Sequence, residues 1–251
     1  PIKKEYKKIK HHLYGFQSAK KKFSTGKWLK LANEKIFLIK KRNKIPILVG
    51  GTGLYFKALT DGLVKIPNIP NKFRNKIRNL QKKIGQKNFF KQLIKLDPLI
   101  NEKINPTDVQ RSIRAYEIKS FTKKSLVDWF KNTKSKYNDE EFIKIYIDFP
   151  REDLLDIIST RVDKMFKEGA IEEIKKFLKI KLRKDNSANK VIGINEINDF
   201  LNKKYDLKQV KEKITIKTRQ YAKRQSTWAR GQMINWQKVN PKDLKNILKK
   251  I

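Results

Sequence analysis

Ile45-Pro46-Ile47-Leu48-Val49-Gly50-Gly51-Thr52-Gly53-Leu54-Tyr55-Phe56 is the stretch that sets the fold class. A short apolar run meets a Gly-Gly-Thr-Gly turn, and a helical pattern starts directly after it. A buried strand that feeds a glycine-rich turn and a helix is how α/β proteins bring backbone N–H groups to an anionic ligand. The turn alone leaves two readings open, a phosphate cradle or a tight strand-to-helix corner. It lacks the G-x-x-x-x-G-K-[ST] spacing of a P-loop, which occurs nowhere in the chain.

Working outward, Trp28, Ala32, Ile36 and Ile39 form one apolar stripe and predict a helix from Thr25, closed by the positive charge of Lys40 to Lys44. On the other side, Leu54, Tyr55, Ala58 and Leu59 predict a helix that ends near Gly62. Pro67 and Pro70 break the pattern. From there to residue 142 the chain reads as helices joined by turns, with stripes at Phe73, Ile77, Leu80, Ile84 and at Phe90, Leu93, Ile94, Leu96. Asn105-Pro106-Thr107-Asp108 signals a turn and N-cap before a helix that places Gln110 and Arg114 on one face. A strand is expected at Phe142 to Phe149, where Ile143, Ile145 and Ile147 alternate with polar neighbours. A helix pair interrupted at Gly169 follows, then a turn at Asp185 to Ala188, and last a long helix over about Leu207 to Arg230. The expected organisation is an α/β core of residues 1–66 and 143–251, with a mainly helical insertion at 67–142.

The chain has 251 residues, 62 Lys plus Arg against 25 Asp plus Glu, and a formal net charge of +37. Such a surplus calls for a polyanionic partner, nucleic acid or an anionic membrane surface. Compositional bias towards Lys, Asn and Ile supplies part of the charge, but it does not account for so few acids. The absence of cysteine excludes disulfides and Cys-ligated zinc. The only two histidines, His11 and His12, have no third ligand at a suitable spacing. No apolar run of about 20 residues and no signal peptide is present, so a soluble cytoplasmic protein outside any membrane is expected. A monomer is the expected state. Against the lysine background, Arg111, Arg114, Arg161, Arg219, Arg224 and Arg230 sit in well-patterned helices. Arginine forms planar bidentate pairs with phosphate, which lysine does not. The residues by themselves therefore describe a basic α/β protein with a helical insert that binds nucleic acid.

The assembled segments resemble the tRNA dimethylallyltransferases. The residues that carry the resemblance are Pro46 to Leu59, the Gln110-Arg111-x-x-Arg114-Ala115 helix, Arg161-Val162-Asp163-x-Met165, the Ile192-Gly193 turn and Thr218 to Trp228. Their order and spacing agree over essentially the whole chain. The resemblance implies a P-loop-type parallel-sheet core, a helical insertion that grips the tRNA anticodon stem-loop, and transfer of a dimethylallyl group from dimethylallyl diphosphate to N6 of adenosine 37. It implies that Thr52, Arg74 and the stretch Gln110, Arg111, Ser112, Ile113 and Arg114 contact tRNA. It associates Arg161 with the diphosphate, and it lines the same channel with Arg219, Lys223 and Arg224.

Mg²⁺ is implied as cofactor, with its site largely in a segment upstream of Pro1. In the family a P-loop and an Asp-Ser-x-Gln segment, with the base for the N6 proton, precede the point where this chain begins. The expectation is therefore an N-terminally truncated and inactive member, without metal ligands of its own. Gly15, Lys27 and Ile194 also depart from the family pattern. Two alternatives stand beside this one: a non-enzymatic RNA-binding remnant, and an adenylate isopentenyltransferase.

Overall fold

The stripe of Trp28, Ala32, Ile36 and Ile39 folds as helix α1 (Thr25–Lys40), which starts where the Ser24 hydroxyl accepts the Lys27 N–H and which buries Ala32 and Ile36. In this computed structural model, which describes residues 9–21, 23–184 and 186–249, the other helices follow the sequence closely. They are α2 (Gly53–Thr60), α3 (Asn71–Leu96), α4 (Val109–Thr122), α5 (Leu126–Lys131), α6 (Arg151–Lys167), α7 (Ala170–Leu178), α8 (Ile194–Leu201), α9 (Leu207–Gln232) and α10 (Leu244–Leu248). The first eight residues of the basic leading segment, Lys22, and Asp185 of the expected turn lie outside the described residues.

Two strands, β1 (Ile145–Ile147) and β2 (Gln237–Val239), pair in parallel with Ile145 opposite Gln237 and Ile147 opposite Val239. The α/β expectation thus holds in coarse form, as a small parallel sheet among helices. Two strand expectations need correction. The run at Phe142 to Phe149 is a strand over three residues only, because its partner β2 offers a ladder no longer than that. The run Ile45 to Val49 forms no strand at all. No described segment pairs with it, and Ile45, Ile47 and Val49 stand 74%, 79% and 80% exposed instead of buried.

The described residues form two compact units: those to Phe56 with those from Glu140, and Lys57–Asp139. In the first, Val162 of α6, Ala170 of α7, Ile197 of α8, and Val210 and Ile214 of α9 make one core, closed by Met165, Phe166, Ile174 and Phe200. Here α9 is the spine, and the Asp206 carboxylate caps it by accepting the Gln209 N–H while Gln209 reaches back to the Asp206 N–H. In the second unit, Leu93, Ile100, Ile104 and Ala115 are packed between α3, α4 and the turn that joins them. Gly85, at φ 74 and ψ 164, breaks α3 into two helical pieces. Gln86, just after the break, donates to the Pro106 carbonyl (2.7 Å) and to the Ser112 hydroxyl (3.1 Å), which ties the kink to α4. The expected stop of α2 near Gly62 is observed. Gly62 adopts φ +96, and a Cβ there would lie 2.4 Å from the Lys134 carbonyl oxygen.

Candidate functional site

The glycine turn is built around α9. Thr52 is exposed, and its carbonyl accepts the Tyr55 N–H at 2.9 Å as α2 begins. The Gln225 side chain donates to the Gly51 carbonyl at 2.9 Å. A Cβ on Gly51 would come within 2.0 Å of that amide nitrogen, and one on Gly53 within 2.1 Å of the Trp228 ring. A Cβ on Gly50 would meet nothing within 4 Å. Of the two readings left open for this turn, the structure supports close packing: Gly51 and Gly53 lack side chains so that α9 can press against the corner. Tyr55 stacks on Trp28 (4.4 Å between centroids, 13° between planes), and Phe56 meets Trp236 edge-on at 5.4 Å, so the start of α2 is held by aromatic contacts as well.

Not every cation on α9 is free. Lys211 is paired with Asp163 of α6 at 2.7 Å, and Lys217 with Glu196 of α8. Glu196 is almost fully buried and also accepts the Gly193 N–H at 2.7 Å. Burial pushes its carboxyl up, but the hydrogen bonds from Lys217 and Gly193 outweigh this and hold it below the ordinary glutamate range. Arg219, Lys223, Arg224 and Arg230 are exposed, and they make no ion pair with any described carboxylate. Arg224 lies 5.8 Å from the centroid of the Tyr221 ring, itself 43% exposed, so a cation and an aromatic face are presented together. Arg161 is exposed on α6, one residue before the buried Val162 that joins α6 to the α9 core. Thr52, Arg161, Arg219, Lys223 and Arg224 therefore belong to one unit.

Arg74 and the stretch from Gln110 to Arg114 belong to the other. The Asp108 carboxylate starts α4 by accepting the Arg111 N–H (2.9 Å), and it also pairs with the Arg111 guanidinium at 3.4 Å. Gln110 is exposed, Ile113 half-buried. Ser112 differs: it is fully buried, donating to the Asp108 carbonyl (2.7 Å) and accepting from Gln86, so its hydroxyl serves the α3–α4 packing. Arg74 (3.1 Å) and Arg114 (3.3 Å) both reach Glu117 Oε2, and Arg78 comes to 3.9 Å from Oε1. Glu117 is 1% exposed. Sequence reasoning passed over Glu117, Arg78 and Glu196. For Glu117 the available signal is an acid among the apolar residues of a helix in a lysine-rich chain, three residues after Arg114.

Among the described residues no three His, Cys, Asp or Glu side chains converge to hold a metal ion. No described helix is long and apolar enough to cross a membrane.

Residues 1–232 match the family described as IPP transferase. The chain belongs to the IPP transferase family. Among its relatives, the tRNA dimethylallyltransferase of Pelagibacter ubique is 58% identical over 251 residues, covering all of this chain and 80% of the relative. That of Rickettsia massiliae is 43% identical over 252 residues, covering 98% of this chain and 69% of the relative. A crystal structure of a eukaryotic dimethylallyltransferase acting on tRNA superposes with a TM-score of 0.77 at 28% identity, over 91% of this chain and 58% of that one. The IPP transferase resemblance carried by the glycine turn, the Gln110 helix and the Thr218 to Trp228 segment is thereby borne out, and with it the assignment to the tRNA-modifying prenyltransferases.

Proposed function

We propose that the protein transfers a dimethylallyl group from dimethylallyl diphosphate to N6 of adenosine 37 in tRNA. The observation that carries this reading is the seating of the Gly50 to Gly53 corner on α9 through Gln225 and Trp228, which joins exposed Thr52 to the unit that bears the unpaired cations of α9 and Arg161. In the reaction the N6 lone pair forms a bond to C1 of the dimethylallyl group. The C1–O bond to diphosphate breaks with its electron pair, and N6 passes a proton to a general base or to water.

An exocyclic amine is a weak nucleophile, so the allylic carbon must develop cationic character as the diphosphate departs. Cationic donors held where that negative charge grows lower the barrier. Arg161 is the donor assigned to the diphosphate. Arg219, Lys223 and Arg224 are assigned to the RNA strand, where Tyr221 offers a face for a base displaced from its stack. Arg74, Gln110, Arg111 and Arg114 are assigned to the anticodon stem-loop, with the Lys57–Asp139 unit acting as the gripping insertion on a P-loop-type core. The Mg²⁺ that the family resemblance implies would, when bound, offset charge on the departing diphosphate.

The test uses protein made from the complete reading frame, with Mg²⁺, dimethylallyl diphosphate and an unmodified tRNA bearing adenosine at position 37. Nucleosides from the digested tRNA should contain N6-dimethylallyladenosine. No product with tRNA, or product only with adenosine monophosphate as acceptor, overturns the reading.

A further inference from the structure

Glu117 is a buried carboxylate surrounded by three guanidiniums, and the arrangement is unbalanced. Arg74 Nε lies 3.1 Å and Arg114 Nη1 3.3 Å from Oε2, while Oε1 accepts no hydrogen bond and has only Arg78 Nε, at 3.9 Å, within ion-pair distance. One guanidinium is enough to neutralise a buried carboxylate. Three leave two positive charges in excess, concentrated on side chains that are 35%, 49% and 40% exposed. No other described carboxylate pairs with any of the three, so the excess charge faces the solvent.

The geometry indicates what that is. Arg74 and Arg78 approach the carboxylate through Nε, and no Nη nitrogen of either donates to a described acceptor. The residues are four apart on the first piece of α3, which puts both on one helix face, and Arg114 comes from α4. Arg74 and Arg114 also line an open hollow of about 240 Å³ with Ile66, Pro67, Asn68 and Ile69. Two guanidiniums, one from α3 and one from α4, at the wall of one hollow suit the tetrahedral oxygens of a phosphate.

We propose that Arg74, Arg78 and Arg114 form one clamp for a backbone phosphate of the tRNA, and that Glu117 is the positioning residue that holds the three guanidiniums in place. The inference rests on the tRNA reading above. It adds Arg78 to the contacts and gives the single buried acid of α4 a role in recognition. Without Glu117 the three like charges separate, and the clamp loses its geometry while the surface gains net positive charge. These two effects on RNA affinity have opposite signs.

The experiment measures binding of the full chain to an unmodified tRNA bearing adenosine 37, by fluorescence anisotropy between 50 and 200 mM salt. Glu117→Gln raises the net charge by one, so a diffuse cationic surface would bind as tightly or tighter. The clamp predicts affinity about tenfold weaker and a salt slope shallower by about 1. Arg78→Lys retains the charge and removes the fork, and it should also weaken binding by about tenfold. Lys91→Gln, a charge removed further along α3, should change affinity by less than either. Unchanged or tighter binding by Glu117→Gln overturns the proposal, as does a variant that lowers the melting temperature but keeps the wild-type affinity and slope. Should Glu117→Gln fail to fold by circular dichroism, Arg78→Lys decides alone: wild-type affinity overturns the clamp, and weakened binding supports it. A wild-type chain with a flat salt response would instead overturn the tRNA reading itself.

Discussion

Gln225 donates its side-chain N–H to the carbonyl of Gly51 at 2.9 Å, from a point that any side chain on residue 51 would occupy. The bond links the turn that opens α2 to the middle of the basic helix α9, 174 residues away in sequence. The corner and the helix are one structural object, and substitutions on either side should report on both.

Gly53→Ala places a methyl group 2.1 Å from the Trp228 ring, which is bulky and wedged against the corner. Overpacking of this kind costs about 1–3 kcal/mol. Gly50→Ala meets nothing within 4 Å and serves as the neutral partner. Urea unfolding of the two variants should separate them, and equal midpoints would show that the ring yields freely.

Glu196 gives the fold an acid limb. Its folded pKa is depressed below the unfolded glutamate value, so the stabilisation is fully present above the unfolded value of about 4.5 and is lost as pH falls through the folded one. Glu196→Gln should weaken the fold by about 1–3 kcal/mol at neutral pH, because Lys217 loses its counter-charge and the Gly193 N–H a charged acceptor. Melting curves between pH 3 and 7 should then show less acid dependence than the wild type.

If the unpaired cations of α9 contact the tRNA backbone, binding must release counterions. With about six phosphates contacted, affinity should drop roughly a thousandfold between 50 and 200 mM salt. Arg219→Gln should reduce the salt slope by about 1 and leave the melting temperature unchanged, since Arg219 makes no ion pair with a described carboxylate. A parallel shift in both quantities would assign Arg219 to the fold instead.

Arg161 is assigned to the diphosphate, so Arg161→Gln should slow prenyl transfer by roughly a hundredfold, in line with the loss of one donor to a developing anion. The Kd for tRNA should stay within about twofold. Single-turnover rates beside equilibrium binding resolve the two, and a variant with weakened tRNA binding and an intact rate would move Arg161 to the RNA contacts.

Helices were legible in the sequence because their signals are local. The stripe of Trp28, Ala32, Ile36 and Ile39 and the Asp108 and Asp206 caps specify α1, α4 and α9 without reference to distant residues. Strands depend on a partner. Ile45 to Val49 carries the apolar run of a buried strand yet has no described partner, and Gln237 to Val239 pairs with β1 although Gln-Lys-Val gives no strand signal of its own. The candidate site divided in the same way. Exposed arginines stood out against a lysine background, whereas Glu117 and Glu196 look like ordinary helical acids until burial and the approach of cations from other helices distinguish them. In the sequence the glycines of the corner suggest a cradle for an anion. Only the tertiary structure reveals what they make room for.

The parallel pairing of β1 with β2 also bears on how the protein is made. Ile145 must find Gln237 about ninety positions later, a separation that raises contact order and slows closure. A ribosome delivers β2 only after α6, α7, α8 and the whole of α9 have emerged. Until then β1 has no described partner, and the nascent chain trails a fully synthesised cationic helix beside the RNA of the machine that made it. Ordering of this unit is therefore a late event in synthesis, and a chain that stops short of Gln237 would hold every helix of its core and still lack its sheet.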